Sequence, residues 1–262
     1  MNRQATIRPG IGQAPAMPYG ARQRGMSLIE LMVALTIGLF LVLVIANVFI
    51  GSKQTYTNQD NLSRLQENGR FALALFGKMT REAGYHYLTY AQGSSMYSIQ
   101  VNSDNWPYLT PRNINIVTGT EGGTSPDSIT LAEDNTVDCM NASIATSPAQ
   151  NTYTVNTTTA QLTCTSVNNG TTGVLLDNVE DLQILYGENL GTSHRYVTAS
   201  APPVWGNVDT IRICILMRTQ QTGLTVTAQK YTDCNGNTNQ SKTDGRIREI
   251  FSDTFAIRNQ MQ

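Results

Sequence analysis

Twenty consecutive residues, Leu31 to Ile50, lack a charged side chain, and only Thr36 and Asn47 among them are clearly polar. At 1.5 Å per residue, a helix of that length spans roughly 30 Å, the thickness of a bilayer's hydrocarbon core. A cleaved secretory signal has a shorter apolar stretch, about 7–15 residues, followed by a small-residue cut site. Asn47-Val48-Phe49 is no such site, so the run reads as a retained membrane helix. The charges orient it. Residues 1–25 carry Arg3, Arg8, Arg22 and Arg24 and no acid, so +4 there leaves -5 on the other 237 residues. A positive flank keeps the N-terminal side in the cytoplasm and sends the C-terminal part across the membrane.

Glu30 sits at the cytoplasmic start of the apolar run. A carboxylate in a bilayer costs a few kcal/mol, so an acid there calls for a partner. Its neighbours read Arg24-Gly25-Met26-Ser27-Leu28-Ile29-Glu30-Leu31. This resembles the prepilin signature of type IV pilins and type II secretion pseudopilins: a basic leader ending in Gly, a hydrophobic residue, and Glu fifth after the Gly. Met26 stands where the family more commonly has Phe. The resemblance implies that a membrane prepilin peptidase cuts after Gly25 and methylates the new amino group of Met26. That cationic amine lies one helical turn from Glu30. In the low dielectric of a fibre the two can pair, where a charge pair is far stronger than in water.

From Gly51 to Gly84 the chain has no proline, and Leu62, Leu65, Leu73 and Phe76 recur at helical spacings. One continuous helix over 27–84 is expected. Gly38, Gly51 and Gly69 each weaken it by about 1 kcal/mol against Ala and offer points of bending. Within it, Leu65-Gln66-Glu67-Asn68-Gly69-Arg70-Phe71-Ala72 resembles the segment that follows the membrane helix in PilW-type minor pilins. Two later segments are similar to the same family: Val179-Glu180-Asp181-Leu182-Gln183-Ile184-Leu185-Tyr186-Gly187, and Asp244-Gly245-Arg246-Ile247-Arg248-Glu249-Ile250-Phe251. The first of these is shared with J-type pseudopilins. The resemblance is thinnest from Tyr85 to Thr172.

Beyond Gly84 helical periodicity gives way to short β-prone runs between turn signals. Strands are expected at Tyr97–Val101, Asn113–Thr118, Asp127–Ala132, Asn151–Val155, Gln161–Thr165, Gly173–Leu176, Asp181–Tyr186, Val208–Arg218, Leu224–Ala228 and Ile247–Ile257. Asn169-Gly170 and Asn235-Gly236 are tight-turn signals. In the last strand Ile247, Phe251, Phe255 and Ile257 share one face, expected to pack on the helix. Cys139 to Leu176 has no charged residue over 38 positions, a composition compatible with strands or with a flexible excursion.

Cys139, Cys164, Cys214 and Cys234 all follow the membrane run, and none forms a C-x-x-C pair. An even count on the oxidising side of a membrane favours disulfides over a metal site. Of the three possible connectivities, Cys139–Cys164 and Cys214–Cys234 each bracket a hairpin, and each bridge would contribute roughly 3 kcal/mol.

Only 14% of residues are charged, against roughly 25% in an average soluble protein. With a net charge of -1, neutralisation of nucleic-acid phosphates is not expected. No nucleophile, phosphate-loop, zinc-protease or calcium-loop motif occurs. His86, among Tyr85, Tyr87 and Tyr90, reads as packing, and Asp233–Asn237 as a hairpin turn rather than a Ca²⁺ site. Neither catalytic residues, a cofactor, a metal nor a small-molecule substrate is expected.

The resemblance implies an α+β fold. It is the type IV pilin-like lollipop, with a long N-terminal α-helix packed on an antiparallel β-sheet head. The implied divisions are a cleaved leader 1–25, a transmembrane half-helix 26–50, an amphipathic half-helix 51–84 and a β-rich head 85–262. The implied function is a structural minor pilin that primes type IV pilus assembly; the alternative is a J-type minor pseudopilin of a type II secretion tip. The implied partners are prepilin peptidase, the inner membrane, other minor pilins and the major pilin. The head would be periplasmic before assembly and in the pilus afterwards.

Overall fold

The computed structural model describes residues 25–85, 108–109, 114–145, 148–201 and 203–260. The leader's arginines, the His86 cluster and the Tyr97–Val101 strand lie outside the described residues. The chain divides into two compact units, Met1–Ser52 and Lys53–Gln262. In the first, the described residues form the start of α1 (Leu28–Glu82), and every one of residues 25–50 is exposed.

The second unit contains the rest of α1 and two larger antiparallel sheets. One has five strands in the order β3 (Val117–Thr120), β4 (Ser128–Glu133), β5 (Ala149–Asn156), β6 (Gln161–Ser166) and β7 (Thr172–Asp177). The other has the order β13 (Arg248–Ala256), β10 (Val208–Arg218), β8 (Val179–Asn189) and β9 (His194–Val197). Among the described residues there are also two short pairs: β1 (Tyr108–Leu109) with β2 (Ile114–Asn115), and β11 (Lys230–Tyr231) with β12 (Gln240–Ser241). The α+β class expected from the sequence is what the structure has.

The uncharged stretch forms β5, β6 and β7 because its residues alternate. In β5, Asn151, Tyr153 and Val155 are buried, while Gln150, Thr152 and Thr154 face outward, the period-2 pattern of a half-buried strand. Asn169-Gly170 turns β6 into β7, with Gly170 at φ +74°. Leu224–Ala228, expected as a strand, is not one. Val226 is 97% exposed there, so pairing would bury nothing. Backbone bonds from Leu224 and Thr225 to the Gly245 carbonyl hold the segment instead.

The buried stripe of α1 differs from the leucine periodicity in the sequence. It comprises Asn61, Leu65, Gly69, Ala72, Phe76, Gly77 and Thr80, spaced by three and four, apart from the adjacent Phe76 and Gly77, as helical geometry requires. Leu62 faces outward, and Leu73 is half-buried. Small residues dominate because the bulk comes from the opposite side. The ring of Phe251 lies where a side chain on Gly69 would be, and a Cβ at Gly77 would come within 2.9 Å of Phe255. The face expected from the last strand therefore does pack on the helix, and Gly69 serves as its socket.

A Gly69→Ala substitution is accordingly expected to destabilise the protein by about 1–3 kcal/mol, outweighing the roughly 1 kcal/mol of helix propensity that Ala adds. The midpoint of denaturant unfolding reads this directly, and a second change, Phe251→Leu, should recover part of the loss. An unchanged or raised midpoint for Gly69→Ala alone would refute the socket.

Helix α1 ends where Gly84 adopts φ +72°, the left-handed C-terminal stop that glycine favours. The Gly84 N–H then donates to the Ala132 carbonyl at 2.8 Å, tying the helix end to β4. Asp127 joins the two sheets. Its carboxylate accepts from the amides of Gly122 and Ile184, each at 2.8 Å, and its own N–H donates to Leu182. These bonds compensate the burial of a charged group. Between the layers, Phe76 meets Tyr153 edge-on at 6.3 Å between ring centroids.

Candidate assembly site

Gly25 and Met26 lie just ahead of α1 and are exposed. Ser27 caps the helix: its hydroxyl accepts the Glu30 N–H at 3.2 Å, and its carbonyl accepts the Leu31 N–H at 3.1 Å. Ser27 at the N-cap and Glu30 three residues on have the S-x-x-E spacing of a capping box. Glu30 is also the acid in the first turn, where the helix dipole favours negative charge. The helix therefore starts immediately after the residue pair expected at the cleavage point. Ser27 was not singled out from the sequence, although its spacing to Glu30 was the signal for it. The helix is long and apolar enough to cross a membrane by length and composition.

The four cysteines form two disulfides, Cys139–Cys164 with Cα atoms 6.6 Å apart and Cys214–Cys234 with Cα atoms 5.6 Å apart. The first ties the loop after β4 to the five-stranded sheet. The second draws the long β10–β13 connection onto β10. The turn expected at Asp233–Asn237 closes on itself, with Asp233 accepting the Asn237 N–H at 2.8 Å and its side-chain amide at 2.9 Å. Among the described residues, no group of three or more His, Cys, Asp or Glu side chains is placed to hold a metal ion. His194 lies 3.5 Å from Asp209.

A cavity of about 490 Å³ adjoins the second disulfide, with Glu121, Gln183, Arg212 and Asp233 in its wall. Burial, with Asp127 nearby, raises the Glu121 carboxyl above its ordinary value.

A charge network connects strands distant in sequence. Arg248 grips Glu180 with two hydrogen bonds, Nε to Oε2 at 2.8 Å and Nη2 to Oε1 at 2.9 Å. Its Nη1 reaches Asp244 Oδ1 at 2.9 Å. Glu180 also takes Arg218 at 3.0 Å and Lys242 at 2.9 Å. The side chains of Arg248 and Glu180 are only 2% and 6% exposed, and the guanidinium lies 5.5 Å from the centre of the Tyr231 ring. Burial opposes ionisation of Glu180, but the hydrogen bonds from Arg248 and Lys242 outweigh it and hold its carboxyl at about 2. Hydrogen bonding from Arg248 likewise keeps Asp244 well below the usual carboxylate range.

Both ends of this network come from segments that carried the resemblance in sequence. The family model for Type IV Pilus-assembly protein W matches residues 152–259, which include Glu180, Asp244 and Arg248. Over those residues the chain is similar to that family. A model for the prokaryotic N-terminal methylation motif matches residues 20–46, around Gly25, Met26 and Glu30. The two matches fall on the segments whose sequence resembled the prepilin signature and the PilW-type minor pilins. No curated protein matches it.

Solved structures similar to this chain include a type IV-like pilin from Thermus thermophilus. It has 13% identity and a TM-score of 0.45, and the match covers 76% of this chain and 99% of the other. Another is a chain of the GspK–GspI–GspJ complex from the type 2 secretion system of enterotoxigenic Escherichia coli. It has 11% identity and a TM-score of 0.28, over 52% of this chain and 74% of that one.

Proposed function

We propose that this chain is a type IV pilus minor pilin of the PilW family, and that it primes pilus assembly from the inner membrane. Residues 1–25 form the leader, cut after Gly25 by prepilin peptidase, and the amine of Met26 is then methylated. Residues 26–50 hold the subunit in the bilayer before assembly, 51–84 continue the helix, and 85–262 form a periplasmic head. Glu30 pairs with a Met26 amine, within a subunit or between neighbours, and sets the register of docking. The head contacts other minor pilins and the major pilin.

The observation that carries this reading is the coincidence at one place of the methylation motif over 20–46 with a capped helix start and wholly exposed apolar flanks. An apolar surface of that extent needs lipid or protein around it. The two disulfides fit an oxidising compartment for the head.

The test is to express the full chain in membranes with and without prepilin peptidase, and to purify it in detergent beside the other minor pilins of its host. With the peptidase, intact mass should correspond to Met26–Gln262 plus one methyl group, and the mature chain should co-purify with at least one minor pilin. Cleavage elsewhere would overturn the processing site. Correct cleavage without any co-purifying minor pilin would overturn the priming role.

A further inference from the structure

The cavity beside the second disulfide lies within the Lys53–Gln262 unit. Its floor is the face of the four-stranded sheet that turns away from the core. Residues two apart on a strand share a face, and Leu182, Ile184, Ile213 and Ile215 take the core side. Gln183 and Leu185 of β8, Arg212 and Cys214 of β10 and Ile250 of β13 take the other side and line the cavity. Register sets Gln183 opposite Cys214 and Leu185 opposite Arg212. One wall is the turn around Asp233, which the Cys214–Cys234 bridge fastens to the floor. Glu121, Asp127 and Thr198 form another. A volume of about 490 Å³ falls within the roughly 300–1,000 Å³ of small-molecule sites.

Two acceptors in this lining lack a donor. The Thr198 side chain and the Ala199 amide approach the Glu121 carboxylate, yet its Oε2 is enclosed without a hydrogen-bond partner. Gln183 is only 9% exposed. Its amide nitrogen donates to the Ser125 carbonyl at 3.2 Å and to Asp181 at 3.0 Å, while its Oε1 accepts no hydrogen bond among the described residues. A buried acceptor without a donor costs free energy, so both positions favour a donor brought by a ligand. Asp127 and Asp233 add negative charge, but their oxygens already take amides, from Gly122 and Ile184 and from Asn237. An ammonium group supplies what is missing: N–H donors together with positive charge.

Among the described residues of the lining, the one basic side chain is Arg212, and it is exposed. It shares the cavity with these carboxylates, yet neither an ion pair nor a hydrogen bond joins it to any of them. Charges of both signs are thus held apart in one concavity. A guanidinium fork matches a carboxylate, so Arg212 selects an anionic end as Glu121 selects a cationic one. Leu185 and Ile250 add apolar surface to the same lining.

We infer that this cavity binds a short zwitterionic peptide, its ammonium meeting Glu121 and Gln183 and its carboxylate meeting Arg212. In a single α-amino acid both charged groups sit on one carbon. The protein's own charges stand beyond ion-pair reach of each other, and two or three residues separate a ligand's ends to match. The assignment does not depend on the pilus-priming role.

Calorimetric titration of the full chain in detergent with trialanine is the test. Trialanine should bind at one site. Acetyl-trialanine lacks the ammonium and trialanine amide lacks the carboxylate, and each should bind at least about tenfold more weakly. Alanine should also bind more weakly. Arg212→Gln should bind trialanine and its amide alike, and Glu121→Gln should bind trialanine and its acetyl form alike, both with unchanged unfolding midpoints. Arg212 is exposed, so its variant carries the test where the Glu121 variant fails to fold. The inference is overturned if trialanine does not bind at millimolar concentration, or if either capped form or alanine binds as tightly. A folded Arg212→Gln chain that still prefers trialanine to its amide overturns it as well.

Discussion

A Glu30→Ala chain is expected to be cut and methylated normally, yet to be recovered in sheared pili at least about tenfold less than wild type. The size follows from the surroundings. Removing one member of a buried charge pair costs about 3–5 kcal/mol, because the other is left uncompensated, and about 1.4 kcal/mol is already tenfold. Two companions separate charge from helix capping. Glu30→Gln keeps a side chain able to complete the capping box with Ser27 but removes the charge, so it should fail as Glu30→Ala does. Ser27→Ala removes only the hydroxyl that accepts the Glu30 amide, a loss of about 1 kcal/mol, and should reduce incorporation far less. Immunoblots of pili and membranes from a strain lacking the native copy provide the measurement. Glu30→Ala at wild-type levels in pili would sink the pairing.

The second large effect is in the head. Arg248→Leu should destabilise the protein by about 3 kcal/mol or more, since it leaves Glu180 and Asp244 without their shared guanidinium. Arg218 and Lys242 still reach Glu180, which keeps the loss near the lower end of the range for broken buried pairs. Denaturant midpoints of the full chain in detergent measure it. The same network sets an acid limit. The Glu180 carboxyl is held at about 2 in the folded protein, against an ordinary 4.5. A depressed carboxylate contributes stability that is present above its unfolded value and lost as pH falls through its folded one. Wild-type stability should therefore decline between about pH 4.5 and about pH 2. In Arg248→Leu that slope should be shallower, and equal slopes would mean the network does not carry the acid response.

The N-terminal half of this account was legible because it is local. A run of apolar residues, a basic flank and a fixed Gly-to-Glu spacing need no knowledge of the fold. Strand β10 was also plain, since the expected Val208–Arg218 is its observed extent. What escaped depends on contacts between distant segments. Glu180 and Arg248 are 68 residues apart, and nothing in either segment reveals that both are buried. Leucine spacing put Leu62 on the packing face of α1. The structure gives that face instead to Gly69, Ala72 and Gly77, because Phe251 and Phe255 supply the bulk from another strand. Leu224–Ala228 looked like a strand by composition, yet has no strand partner among the described residues.

The glycine sockets of α1 also bear on the order in which the head can be completed as the chain is made. The aromatic rings that fill them belong to β13, near the C-terminal end of the chain. Synthesis from the N-terminus delivers those rings after α1 and after the other strands of both larger sheets. Until they arrive, Gly69 and Gly77 are bare notches on the helix, and the second half of α1 lacks the rings that cover it. Closure of β13 onto the helix thus reports that this strand has been made and folded, and a chain truncated before Phe251 carries an open notch at Gly69.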